Sequence, residues 1–86
     1  MADYEVRLTR LARKELEALD AGVVKRIFPK IAALSTQPRP SGCVKLTDEE
    51  NLWRIRVGDH RVIYEIDDAK GLVKVVYVRH RSKAYK

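Results

Sequence analysis

The stretch Leu52-Trp53-Arg54-Ile55-Arg56-Val57-Gly58-Asp59-His60-Arg61-Val62-Ile63-Tyr64-Glu65-Ile66 constrains this chain more than any other. Successive side chains of a strand point to opposite faces, so Trp53, Ile55 and Val57 share one face and Arg54 and Arg56 the other. Gly58-Asp59-His60 supplies turn chemistry, because glycine tolerates positive φ and aspartate can bond its own backbone. On the return, Val62, Tyr64 and Ile66 share a face, with Arg61, Ile63 and Glu65 opposite. The pattern predicts a β-hairpin with an apolar side and a guanidinium-rich side, a core element that also carries an anion-binding surface.

The rest of the chain supplies what covers the apolar side. Tyr4-Glu5-Val6-Arg7-Leu8 alternates and predicts a short first strand. Thr9 then stands where a helix N-cap belongs. Leu8, Leu11, Ala12, Leu16 and Leu19 recur at three- and four-residue spacing, an amphipathic helix with Arg10, Arg13, Lys14 and Glu17 outside. Asp20-Ala21-Gly22 breaks it, with Asp20 capping a second helix whose stripe is Val24, Ile27, Phe28, Ile31 and Leu34. The two form a helical hairpin. Pro29 lies within the second stripe, where a missing N–H and a clash four residues back cost about 3 kcal/mol; one helix bent near residues 25–29 is expected.

Ser35-Thr36-Gln37-Pro38-Arg39-Pro40-Ser41-Gly42 ends that helix in a loop. Val44-Lys45-Leu46 is a brief strand and Thr47-Asp48-Glu49-Glu50-Asn51 an acidic turn. Asp67-Asp68-Ala69-Lys70-Gly71 closes a further hairpin into Leu72-Val73-Lys74-Val75-Val76-Tyr77-Val78, whose nearly continuous apolar run suits a strand inside a sheet. The expected class is α+β in the order β-α-α-β-β-β, three or four strands following the helices. The helical hairpin packs on one face of a small, mainly antiparallel twisted sheet, and the first strand joins through the helical crossover. Arg54 and Arg56 point from the uncovered face.

Eighty-six residues suffice for one domain, 1–86, with a single core. A hydrophobic fraction of 45% and a charged fraction of 35% fit a soluble globular protein rather than a disordered one. No apolar run approaches the roughly 20 residues of a membrane helix, and Met1-Ala2-Asp3-Tyr4-Glu5 lacks the layout of a secretory signal. Cys43 is the only cysteine, which rules out an internal disulfide and makes a poor metal site. The expectation is a cytoplasmic domain without metal or cofactor. A formal charge of +6 favours polyanionic partners, and Arg79-His80-Arg81-Ser82-Lys83-Ala84-Tyr85-Lys86 concentrates cations with no acid.

Some residues have plainer roles. Trp53 can stack on a base, but its face assigns it to the core, with Tyr64 and Tyr77. His60 and His80 read as turn or surface residues, Cys43 as a loop residue, and Glu65 as a partner for one of the arginines.

The element order, Lys45-Leu46, the run from Leu52 to Tyr64, and Val78-Arg79-His80-Arg81 followed by Tyr85 together resemble the RelE branch of the RelE/ParE toxin superfamily. The resemblance covers nearly the whole chain. It implies a ribosome-dependent endoribonuclease that cuts mRNA in the decoding site and is neutralised by a cognate RelB-like antitoxin. The implied catalytic positions are Arg54, Arg56, Arg61, Arg81 and Tyr85, with Lys45, His80 and Lys83 as substrate contacts. Some members carry lysines where this chain has Arg54 and Arg56, and the spacing from Arg81 to Tyr85 varies among relatives.

The chemistry is consistent with those residue types. Cleaving RNA through its own 2′-OH needs in-line positioning, removal of the hydroxyl proton and stabilisation of a phosphorane. Guanidiniums bind phosphate oxygens bidentately and stay charged, but arginine is a poor base. Tyr85 among Arg81, Lys83 and Lys86 is a candidate base, with His60 and His80 as alternatives. Two other readings share the scaffold: a ParE-like inhibitor of DNA gyrase, and a catalytically inactive antitoxin-binding module.

Overall fold

A computed structural model describes residues 3–46 and 51–83, and of Lys83 the backbone alone. The chain runs β1 (Glu5–Leu8), α1 (Arg10–Glu17), α2 (Ala21–Ala33), β2 (Val44–Lys45), β3 (Leu52–Val57), β4 (His60–Asp67), β5 (Leu72–His80) and a 3₁₀ turn (Arg81–Lys83). The expected α+β order holds, with the two-residue β2 as a fifth strand. The sheet order is β1-β5-β4-β3-β2. β1 runs parallel to β5, and every other neighbouring pair is antiparallel. Of the acidic turn expected at 47–51, residues 47–50 lie outside the described residues.

Thr9 caps α1 as its position requires: its backbone is extended and its Oγ1 accepts the Ala12 N–H at 3.0 Å. Asp20 stands at the N-cap of α2, but its side chain makes no capping bond and its carbonyl alone accepts the Val23 and Val24 N–H groups. The helices bury narrower stripes than expected. Ala12 and Leu16, one turn apart, face the sheet from α1, and Ile27, Ile31 and Leu34 face it from the second helix. Leu11 is 45% exposed and Phe28 53% exposed. Each lies one residue, about 100° of helix rotation, from the buried stripe, so neither belongs to the core. Helix α2 continues unbroken through Pro29. Both Pro29 and Lys25, whose carbonyl lacks a donor there, are exposed, so water can satisfy the carbonyl.

Ile55, Val62, Tyr64, Ile66, Val73, Val75 and Val78 meet these helices from one sheet face, and no described element covers the other. The β4–β5 register shifts between Ile63 and Tyr64: Tyr64 pairs with Val75, but Ile63 pairs with Tyr77. The extra residue, Val76, reverses the alternation. Val73, Val75 and Val78 therefore all point to the core, while Tyr77 points the opposite way. The expectation that Tyr77 is a core residue is thus corrected.

β1 ends before this bulge, and side chains close the exposed edge. The Thr9 N–H donates to the Val75 carbonyl and Thr9 Oγ1 to that of Val76. Glu15 Oε1 accepts the Val78 N–H at 2.8 Å.

At the far end of the sheet, Arg39 donates from both Nη atoms to the Asp68 carboxylate, which also accepts the Tyr4 hydroxyl. The Arg39 guanidinium lies 4.9 Å from the Trp53 ring centroid, so Trp53 is half-buried beneath a cation. The buried Tyr64 hydroxyl donates to the Pro38 carbonyl, and burial pushes its pKa well above the usual tyrosine value. Cys43 packs partly buried against this core.

Two outcomes are expected. Thr9→Ala removes the cap and one edge bond, and should lower stability by about 1–2 kcal/mol, read as a lower urea midpoint at unchanged slope. The hydrogen bonds from Arg39, then from Tyr4, lower the Asp68 pKa, so the carboxylate contributes stability above its unfolded value, about 3.9. The contribution fades as pH falls through the depressed folded value. The bond to Asp68 raises the Tyr4 pKa, so that hydroxyl contributes fully below about pH 10 and loses its contribution above it. Asp68→Asn should melt lower than the parent at pH 7, with the gap closing in acid; a pH-independent gap would refute the assignment.

Candidate nucleic-acid interface

The two-residue turn Gly58-Asp59 sets the site. Gly58 has φ +62, as the first position of a primed hairpin turn requires. That turn pairs Val57 with His60, hence Arg56 with Arg61 and Arg54 with Ile63. Beyond the bulge, Arg61 pairs with Arg79 and Ile63 with Tyr77. Cross-strand neighbours share a face, so the uncovered face carries two adjacent rows: Arg54, Ile63, Tyr77 and Arg56, Arg61, Arg79. Ile63 is 2% exposed although it lies outside the core cluster. It is the apolar floor of this face. The Nε atoms of Arg54 and Arg61 are buried on this face.

The charge on this face is graded along the strands. Toward the far end, Arg7 pairs with Glu5 at 2.7 Å and Lys74 with Glu65 at 4.0 Å. The expectation that Glu65 would answer an arginine is therefore corrected, because its ion pair is with a lysine. Near the 58–59 turn, Arg79 pairs with Glu15 at 2.5 Å. Arg56 and Arg81 are exposed, and their side chains make no ion pair among the described residues. The cationic end is thus the turn end. Arg81 is tied to it: its backbone N–H donates to the Asp59 carbonyl at 2.8 Å, bringing the 3₁₀ turn beside the hairpin that carries Arg56 and Arg61.

Arg54, Arg56 and Arg61 therefore share one face, with Arg81 at its rim. Lys45 does not join them. It pairs with Trp53 on the opposite face, its Nζ 5.9 Å from that ring centroid. His80 pairs with His60 on the same side of the strands as Val62 and Val78, the two rings meeting edge-to-face at 5.4 Å. His80 Nδ1 lies 3.2 Å from the Ser82 backbone nitrogen and 3.1 Å from Ser82 Oγ. The Lys83 backbone closes the 3₁₀ turn, and Tyr85 lies outside the described residues. Among the described residues no group of three or more His, Cys, Asp or Glu side chains could hold a metal ion.

Three residues of this surface escaped the sequence reading: Arg79, Tyr77 and Glu15. Counting back from the 68–71 turn without a bulge pairs Arg79 with His60 and Tyr77 with Val62, placing both on the helix side. A nearly uniform run of β-formers carries no mark of where one residue slips out.

Comparison with known proteins gives the same picture. Residues 6–85 match the family model described as the ParE toxin of the type II toxin–antitoxin system parDE. Toxin RelE of Mycobacterium tuberculosis is 32% identical over 96% of this chain and 87% of its own length. The archaeal RelE–RelB complex of Pyrococcus horikoshii superposes with a TM-score of 0.81 at 27% identity, covering 98% of this chain and 100% of that one. The RelBE2 toxin–antitoxin complex of Mycobacterium tuberculosis gives 0.82 at 29% identity, over 96% and 97%. A fold, a family model and a relative that agree over nearly the full length leave one conclusion: the chain belongs to the RelE/ParE superfamily of type II toxin–antitoxin toxins, as a RelE-like member.

Proposed function

We propose that this toxin is a ribosome-dependent mRNA endoribonuclease held in check by a RelB-like antitoxin. The observation that carries the reading is the register of Arg56 with Arg61 on an uncovered sheet face, with the Arg81 backbone bonded beside them. The similarity to toxins crystallised with RelB partners supports the antitoxin, and the cytoplasm is where mRNA and ribosomes meet.

In the proposed reaction the 2′-oxygen bonds to phosphorus while the bond from phosphorus to the 5′-oxygen breaks. The products are a 2′,3′-cyclic phosphate and a 5′-hydroxyl. Negative charge grows on the non-bridging oxygens, where guanidinium forks bind well. Arg61 and Arg81 hold the scissile phosphate, and Arg54 and Arg56 guide the strand and stabilise the developing charge. The reaction is metal-independent because these cations supply the electrostatic stabilisation. A base takes the 2′-proton and an acid returns one to the departing oxygen. Tyr85 is the first candidate base, with the His60–His80 pair as the alternative. With no carboxylate to orient either histidine among the described contacts, the isolated protein is a slow nuclease, and the ribosome supplies the in-line mRNA geometry.

Arg61→Ala and Arg81→Ala should each lower cleavage of ribosome-bound mRNA about 100- to 1,000-fold, the range for loss of one transition-state donor. Primer extension on mRNA, with circular dichroism to confirm the fold, checks this; undiminished cleavage by both variants would refute the arginine mechanism. The ParE description of the matching family model favours one second reading, inhibition of DNA gyrase. Intact mRNA together with DNA damage on expression would establish that reading instead.

A further inference from the structure

The chain has two histidines, and the β4–β5 register sets them opposite each other: His60 opens β4 and His80 ends β5. Their rings meet at a centroid separation of 5.4 Å and an interplanar angle of 88°. His60 is half-buried and His80 exposed, so the pair is open to solvent. Two imidazoles on one tetrahedral Zn²⁺ have a defined spacing. With a Zn–N distance of about 2.05 Å, and about 1.1 Å more from nitrogen to ring centre, the tetrahedral angle puts the centroids about 5.2 Å apart. The observed separation needs almost no adjustment. A metal on His80 Nε2 requires the proton on Nδ1. Ser82 Oγ, 3.1 Å from Nδ1, can accept it there, the kind of outer contact that orients a ligating histidine.

We propose that His60 and His80 form a reversible binding site for Zn²⁺, one imidazole from each strand, with water completing the tetrahedron. Two protein ligands, fewer than the three of a catalytic zinc centre, suit an ion that comes and goes. The surroundings are cationic: Arg81 follows His80, and Arg26 Nη1 comes within 4.0 Å of where a Cβ on Gly58 would lie. Asp59, next to His60, is the one acid in that turn. Charge attraction therefore adds little, and selection falls to the donor atoms. Imidazole nitrogen suits Zn²⁺, whereas Mg²⁺ and Ca²⁺ demand oxygen ligands. The site is independent of the nuclease reading, and the ion takes no part in the phosphate chemistry. Bound there, it fastens the start of β4 to the end of β5, beside the backbone bond from Arg81 to Asp59. It also withdraws imidazole lone pairs from proton transfer.

The test uses the full-length, untagged protein and zinc chloride alone. Because only His60 and His80 carry imidazoles, long-range proton–nitrogen NMR reads the site directly. Both rings should shift together and saturate at one ion per chain. At free zinc about five times the dissociation constant, the melting temperature should rise by about 4–8 °C; Mg²⁺ at the same concentration should leave it unchanged. His60→Gln and His80→Gln should each lose the saturable binding and the thermal shift, with zinc-free circular dichroism as in the parent. Ser82→Ala should weaken binding about tenfold. Cys43→Ser should bind as the parent does, which excludes the thiol. Zinc that shifts neither ring, or one alone, would overturn the site, as would parent-like affinity in either glutamine variant. One ion per two chains, with dimers in sedimentation, would put the metal between copies and overturn it as well. Should a glutamine variant misfold, the NMR titration of the parent decides.

Discussion

The pairing register of β3 and β4 decides the core and the cationic face together. Strand side chains alternate with period two, so a slip of one residue exchanges the faces of a strand. In this hairpin it would turn Val62, Tyr64 and Ile66 to solvent and drive Arg61 beneath the helices, where an uncompensated guanidinium is costly. The tight Gly58-Asp59 turn fixes the register locally, and burial of the apolar set enforces it globally. The arginines face outward because everything beside them must face inward. No separate element is needed to present them.

The bulge in β5 is a second constraint of the same kind. Val73, Val75 and Val78 are all buried, and no strict alternation can put residues 75 and 78 on one side. One extra residue resolves the conflict and leaves the β5 edge without a strand partner beyond β1. Thr9 and Glu15 fill that gap from the N-cap and the second turn of α1, so the helix is joined to the sheet by hydrogen bonds as well as by packing. Glu15 then links the edge to the open face through Arg79.

Much of this was legible in the sequence because it is local. The hairpin, the Thr9 cap, the loop at 35–42 and the outward Arg54, Arg56 and Arg61 all follow from alternation, capping chemistry and turn residues within a few positions of one another. What escaped was set at a distance. Leu11 and Phe28 fit a helical stripe in sequence, yet each is rotated about 100° from the residue that meets the sheet. Lys45 follows its strand's parity onto the Trp53 side, away from the arginines. Tyr77 and Arg79 could not be placed without knowing where β5 slips, and Glu15 matters only because β1 is short. Each miss concerns the fit between two elements rather than the character of one.

The parallel pairing of β1 with β5 joins residues 5–8 to residues 72–75, partners 67 positions apart in sequence. The hairpins between them can form from near neighbours, but the first strand has no place in the sheet until the last is present. Bringing such remote segments together carries a loop-closure cost and tends to slow folding. During synthesis the first strand must therefore wait until residues 72–75 have been made. A nascent chain halted before Val75 would carry the completed β3–β4 arginine hairpin without the register that docks the helices behind it.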